Sequence, residues 1–411
     1  MAAPKQGTKS LPPLDLDDLP EWLVAQGLKG LPLDEQFYGF CERIYGAGFD
    51  IARASMGMGT LHPRYGAQTY VWRPGDKAIE TTMRERSTWQ LDDFMQSPVY
   101  FMRSTGTRSL RRRLDKNEPL DFPILEELRE AGMTEYAAQV VPYGRIHEGD
   151  PDSASGSFFS CATARPGGFH DGHLRQITAA LPYFGLAVKS RTTYDIANNV
   201  LTTYLGEDAG HRVMTGAIDR GSVETIRAVV WFCDLRGFTR MSDTLPGQEL
   251  VDLLDDYLEL MAEPVQDNKG QILKFMGDGF LATFDLTKLD GEAVCMNALK
   301  AASELRAAFP RVNAERKEAG KPVMEFGLAL HLGDVLYGNI GARERLDFTV
   351  VGPAVNEASR IQNLCRPLER NVLISAAFHE IACACHGELE SLGFHALRGV
   401  REPQELFTLK A

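Results

Sequence analysis

The stretch VVWFCDLRGFTRMSD, residues 229–243, decides how the second half of this chain is read. Val229, Val230, Trp231, Phe232 and Cys233 run straight into Asp234, and a Gly-Phe-Thr turn follows at 237–239. An apolar run of this length, rich in β-branched and aromatic residues and closed by a turn, is the pattern of a buried strand. A carboxylate delivered to the end of such a strand has two readings. It is a metal ligand, or it caps the helix that follows.

Outward from this point the chain alternates strands and helices. The spacing of Leu250, Leu254, Tyr257, Leu258 and Met261 predicts an amphipathic helix over 247–265. QILKFMGDGFLATF, 271–284, reads as a hairpin whose Gly-Asp-Gly centre sets Asp278 in the turn. Another helix is expected over 291–308, and MEFGLALHLGDVLYGNIG, 324–341, breaks at glycines like a pair of strands. A strand ending at FTVVG then enters a helix that places Asn356 and Arg360, four residues apart, on one face.

Asp234 and Asp278 both lie where a strand hands over to a turn. Two oxygen ligands on separate rigid elements suit Mg²⁺, which keeps waters and takes its other ligands from substrate phosphates. The turn LRGFT, 235–239, has backbone N–H groups able to cradle a phosphate. Arg360 offers a planar fork for phosphate oxygens, and Asn356 offers both a donor and an acceptor. Each feature has a plainer alternative: a cap, a hairpin aspartate, a surface polar pair.

VVWFCDLRGFT, LKFMGDGFLATF and DFTVVGPAVNEASR, in this order, resemble the catalytic domain of the class III adenylyl and guanylyl cyclases over roughly 225–411. The resemblance implies a ferredoxin-like domain. In it Asp234 and Asp278, with the backbone of Leu235, would hold two Mg²⁺ or Mn²⁺ ions per site. One ion would activate the ribose 3′-hydroxyl, the other would anchor the triphosphate, and in-line attack on the α-phosphorus would expel pyrophosphate. By the same resemblance Arg360 would stabilise the transition state and Asn356 would hold the ribose. Phe238 and Thr239 would border the phosphates, and Arg398 or Arg401 would meet the β- and γ-phosphates.

Lys274 would donate to adenine N1 and Thr349 would contact the 6-amino group. Guanylyl cyclases usually carry glutamate and cysteine at these places, and a lysine cannot accept from guanine N1–H, so the pair favours ATP. The family works as dimers. One protomer would contribute Asp234 and Asp278, and its partner Lys274, Thr349, Asn356 and Arg360, giving a homodimer with two equivalent sites. A guanylate cyclase and a catalytically silent nucleotide-binding module are the alternatives.

The chain is thus expected to be α+β in two domains. Residues 1–33 read as a flexible, proline-interrupted lead-in and 34–190 as a GAF-like sensory domain for an unknown small-molecule effector. Residues 191–224 read as a connecting helix and linker, and 225–411 as the catalytic domain. The front unit is expected to hold a helix over 37–49, strands within 52–75, a helix then a strand over 122–144, and a strand within 156–169. A long helix begins near His173, which Pro182 would kink or interrupt. LRRR, 110–113, reads as a solvated face and Asp171 as a helix N-cap.

The net charge of −12 argues against broad binding to nucleic acid. No apolar run approaches the roughly 20 residues of a membrane helix, and the N-terminus has no apolar signal core. Seven scattered cysteines suit a reducing compartment, so a cytoplasmic protein is expected. CACH, 383–386, lacks a second pair at zinc-site spacing and reads as structural.

Overall fold

The computed structural model describes residues 12–86, 92–116, 120–143, 156–287, 290–382 and 387–410. The CACH motif and most of the polar loop after residue 143 lie outside them. The chain divides into compact units at 1–200 and 201–411.

The first unit is built on six antiparallel strands: β1 (Arg53–Gly59), β2 (Tyr65–Trp72), β3 (Glu80–Glu85), β4 (Ser109–Arg113), β5 (Glu135–Pro142) and β6 (Gly156–Thr163). Their order is β3-β2-β1-β6-β5-β4. On one face Phe37, Phe40 and Ile44 of the helix Leu33–Gly46 meet Phe184 and Val188 of the helix Asp171–Leu205 over Met56, Trp72 and Phe159. The rings of Phe40 and Phe184 stack with centroids 4.5 Å apart. On the other face Met102, Leu125 and Leu128, from the helices Pro98–Thr105 and Pro123–Glu130, cover Leu110, Tyr136 and Phe158.

Four expectations for this unit need correction. The stretch read as a flexible lead-in is, from residue 12 onward, part of the core. Leu14, Leu19 and Leu23 are buried, Leu19–Lys29 is a helix, and Leu14 exchanges backbone hydrogen bonds with the Gln176 side chain at 3.0 and 3.1 Å. Pro182 does not interrupt the long helix, because the turns around it are held by buried Leu181, Phe184 and Val188. Asp171 is the first residue of that helix, and its carboxylate receives Arg111 at 2.7 Å. LRRR is no solvated face either: Arg111 forks onto Glu135, Arg112 pairs with Asp121 and Arg113 with Asp115. Glu135 is 1% exposed, and a carboxylate so buried requires a paired cation.

The second unit contains β7 (Val223–Arg236), β8 (Gln271–Met276), β9 (Gly279–Asp285), β10 (Glu325–Gly341), β11 (Leu346–Val351), β12 (Val372–Ser375), β13 (Leu389–His395) and β14 (Gln404–Leu409). The sheet order is β13-β14-β12-β10-β7-β9-β8, with β11 paired to β10. Strands β7 to β10, with the helices Gly247–Asp267 and Gly291–Glu318, make a β-α-β-β-α-β unit of antiparallel order β10-β7-β9-β8, the ferredoxin-like arrangement. Both helices press on one face, where Tyr257, Met261, Leu299 and Leu305 meet Trp231, Cys233 and Phe280. The helix Pro353–Asn363 and the helix Glu207–Met214 cover the other through Ala354, Ala358 and Ala209.

β10 is one 17-residue strand, not the expected pair. Its glycines are sites of close approach rather than turns. A Cβ on Gly333 would stand 2.6 Å from the Ala354 Cβ, and one on Gly338 would meet the backbone of Ser222 and Val223. Among the described residues no helix is long and apolar enough to cross a membrane, and the five described cysteines are buried and free.

Candidate active site

Along β7, Trp231, Cys233 and Leu235 point into the core beneath the two long helices. Alternation therefore sends Asp234 to the opposite face, the one carrying the helix Pro353–Asn363. The strand does not stop at Asp234. It continues to Arg236, pairing with Phe326 and Glu325, before Gly237 turns the chain at φ 82°. The short helix Phe238–Ser242 that follows has no side-chain cap. The capping alternative for Asp234 thus fails, and its carboxylate accepts instead from the Gln362 side-chain amide.

Asp278 sits in the turn between β8 and β9, and its carbonyl accepts the Leu235 N–H at 3.0 Å. Gly279 pairs directly with Asp234. A Cβ there would lie 2.7 Å from the Asp234 Cα and overlap the Cys233 carbonyl oxygen, so only glycine lets the turn close on β7. This approach brings the Asp278 carboxylate within range of the Asp234 carboxylate, so that its charge acts there. Burial, then the charge of Asp278, pushes Asp234 up to about 6, against weaker opposing pulls from Arg236 and the Gln362 hydrogen bond. Burial also raises Asp278.

Two acids held together at a cost in solvation, with oxygen donors only, form the donor set of a hard divalent cation. No cluster of three or more His, Cys, Asp or Glu able to hold a metal occurs among the described residues, so further ligands would come from water and substrate. The residues fit Mg²⁺ or Mn²⁺ shared with a phosphate.

Lys274 reaches this face through an irregularity. The β8–β9 register slips between Ile272 and Lys274, so Leu273 is a bulge and Lys274 stands opposite Leu281. Leu281 in turn pairs with Phe232, two residues before Asp234. Lys274 has no ion-pair partner among the described residues, and Phe275 and Met276 beside it are exposed at 55% and 36%. Thr349 on β11 pairs with Gly338 and is buried, yet its hydroxyl has no hydrogen-bond partner. Leu336 and Val351, paired two positions away on the same face, are exposed apolar residues.

Asn356 is exposed and Arg360 half-buried on the helix Pro353–Asn363. The Arg360 guanidinium lies against Gly399, which brings the loop of exposed Arg398 next to it. Leu235 is buried, Phe238 packs on the core edge and Thr239 is exposed. The structure thus groups Asp234 with Asp278, and Arg360 with the Arg398 loop. No hydrogen bond or ion pair among the described residues ties either set to Lys274 or Thr349.

Sequence reading missed Gln362 and Gly327. The signal for Gly327 was a glycine inside the alternating run MEFGLAL, which marks a close approach in a strand. Gln362 carried none, since its contact depends on how the helix lies across the sheet.

Residues 222–411 match the model of the adenylate and guanylate cyclase catalytic domain. An adenylate cyclase of Anabaena cylindrica is 38% identical over 162 residues, 38% of this chain and 31% of that protein. Adenylate cyclase 1 of Rhizobium meliloti is 32% identical over 149 residues, 36% of this chain and 22% of that protein. The chain therefore spans about a third or less of these relatives' length. The crystal structure of the adenylyl cyclase CyaB from P. aeruginosa aligns with TM-score 0.42 and 26% identity, covering 46% of this chain and 96% of that one. By the family match and the identity to these relatives, residues 222–411 belong to the adenylate and guanylate cyclase catalytic domain family.

Proposed function

We propose that the protein is an adenylate cyclase that converts ATP to 3′,5′-cyclic AMP and pyrophosphate at two equivalent sites of a homodimer. The observation that carries this reading is the close approach of the Asp278 turn to Asp234 at the glycine at 279, on the sheet face that Lys274 also reaches. Divalent cations bound there would make the ribose 3′-hydroxyl a better nucleophile and neutralise phosphate charge. Asn356 orients the ribose so that its 3′-oxygen bonds to the α-phosphorus as the bond to pyrophosphate breaks, with the hydroxyl proton passing to solvent. Arg360, next to the Arg398 loop, takes up the charge that develops on the phosphorus oxygens.

Dimerisation is supported by the exposed Phe275, Met276, Leu336 and Val351, which flank Lys274 and Thr349. Apolar surface bordering the base-reading residues is what a partner's site would bury. The unpartnered Lys274 ammonium suits the acceptor N1 of adenine, and the unpaired Thr349 hydroxyl suits its 6-amino group. Exchanging these groups should exchange the base. Lys274→Glu with Thr349→Cys is expected to reverse the ATP/GTP preference in kcat/KM by about a hundredfold or more, read from paired turnover assays. A double variant that keeps its preference for ATP would point to other residues as the readers.

We further propose that the first compact unit, which holds residues 34–190, forms a GAF-like sensory domain for a small-molecule effector. A cleft of about 240 Å³, lined in part by Met58, Gln68, Tyr70, Arg191 and Asp195, supports this reading. The full chain and residues 201–411 are then expected to differ severalfold in turnover under one set of conditions. Equal rates would remove the regulatory role.

A further inference from the structure

The helix bearing Asn356 and Arg360 touches the acidic pair at one point. Gln362 is 6% exposed and continues the buried face formed by Ala354, Ala358 and Ile361. Its Nε2 donates to Asp234 Oδ1 and lies 3.5 Å from the Gly327 carbonyl oxygen. Gly327 pairs with Asp234 across the two strands, and a Cβ at 327 would stand 2.8 Å from the same Nε2. The missing side chain thus opens the slot through which the amide reaches the carboxylate.

A buried amide costs free energy unless it is hydrogen-bonded, and a leucine or methionine would fill this place without that cost. A glycine inside a strand also weakens it. Two local sacrifices meeting at one carboxylate call for a reason at that carboxylate.

We propose that Gln362 is a positioning residue for Asp234, holding its carboxylate in one orientation so that its remaining lone pairs face a divalent cation. The inference rests on the reading of Asp234 as a metal ligand. Partners of metal-binding groups typically contribute ten- to a hundredfold in affinity. Gly327 is part of the same device, because its bare Cα gives the amide access.

The test is Mn²⁺ binding to the whole 411-residue chain without nucleotide, followed by the electron paramagnetic resonance of the free ion. Gln362→Met is expected to raise the Mn²⁺ dissociation constant about tenfold or more, with the melting temperature held near that of the parent. Gly327→Ala, which pushes the amide aside, is expected to weaken binding in the same direction. In Gln362→Ala the added Gly327→Ala should cost nothing more, since both act through one contact. A folded Gln362→Met protein with parental affinity would overturn the proposal. Were that variant not to fold, parental affinity in Gly327→Ala would overturn it equally. Asp234→Ala separates the two levels: if it binds Mn²⁺ as tightly as the parent, the metal site itself is misassigned, whatever Gln362 does.

Discussion

Asp234→Asn is expected to lower cyclase turnover by at least about a hundredfold while raising the melting temperature of the metal-free protein at neutral pH. The two effects share one cause. Burial and the neighbouring Asp278 charge push the Asp234 carboxyl from 3.8 up to about 6. An acid whose folded pKa lies above its unfolded value contributes stability that is fully present below the unfolded pKa. That contribution is lost as pH rises through the folded one. At pH 7 the ionised carboxylate is therefore a burden on the metal-free fold. Its removal is worth on the order of 1–2 kcal/mol after allowing for partial exposure, or roughly 2–6 °C for a unit of this size.

The asparagine keeps an oxygen to accept from Gln362, so the packing around it is preserved. Thermal unfolding between pH 4 and 8 checks the sign. The parent should lose stability across the window from about 4 to 6 that the variant does not lose. Mn²⁺ should stabilise the parent by mass action and the variant far less. A variant that melts lower than the parent and still turns over would contradict both halves.

How much of this was legible in the sequence depends on the range of the cause. Asp278 in its turn and the shared face of Asn356 and Arg360 follow from local pattern, and the structure places them as read. The face to which Lys274 points was not legible. Strict alternation along β8 is broken by the bulge at Leu273, and a bulge is a property of a strand pair rather than of one strand. The glycines of β10 were misread because turn and close approach use the same residue for different reasons. Prolines 12, 13 and 20 suggested an unstructured lead-in, whereas Leu14, Leu19 and Leu23 find their partners on elements far along the chain. The bond between Gln362 and Asp234 spans 128 residues and belongs to the lie of a helix across a sheet, which no local pattern encodes.

The central claim is that each site is shared, with acids from one protomer and Arg360 from the other. If the sites are shared in this way, Asp234→Asn and Arg360→Ala damage opposite halves, so each homodimer of a single variant has two broken sites. A heterodimer of the two variants has one site with both defects and one with neither. Turnover of that heterodimer, purified through two different affinity tags, is the direct measurement. Sharing predicts two inactive variant homodimers and a heterodimer with about half the activity of the unsubstituted protein, one intact site in two. A heterodimer that assembles and remains as inactive as either variant would show that acids and arginine serve the same nucleotide from the same chain.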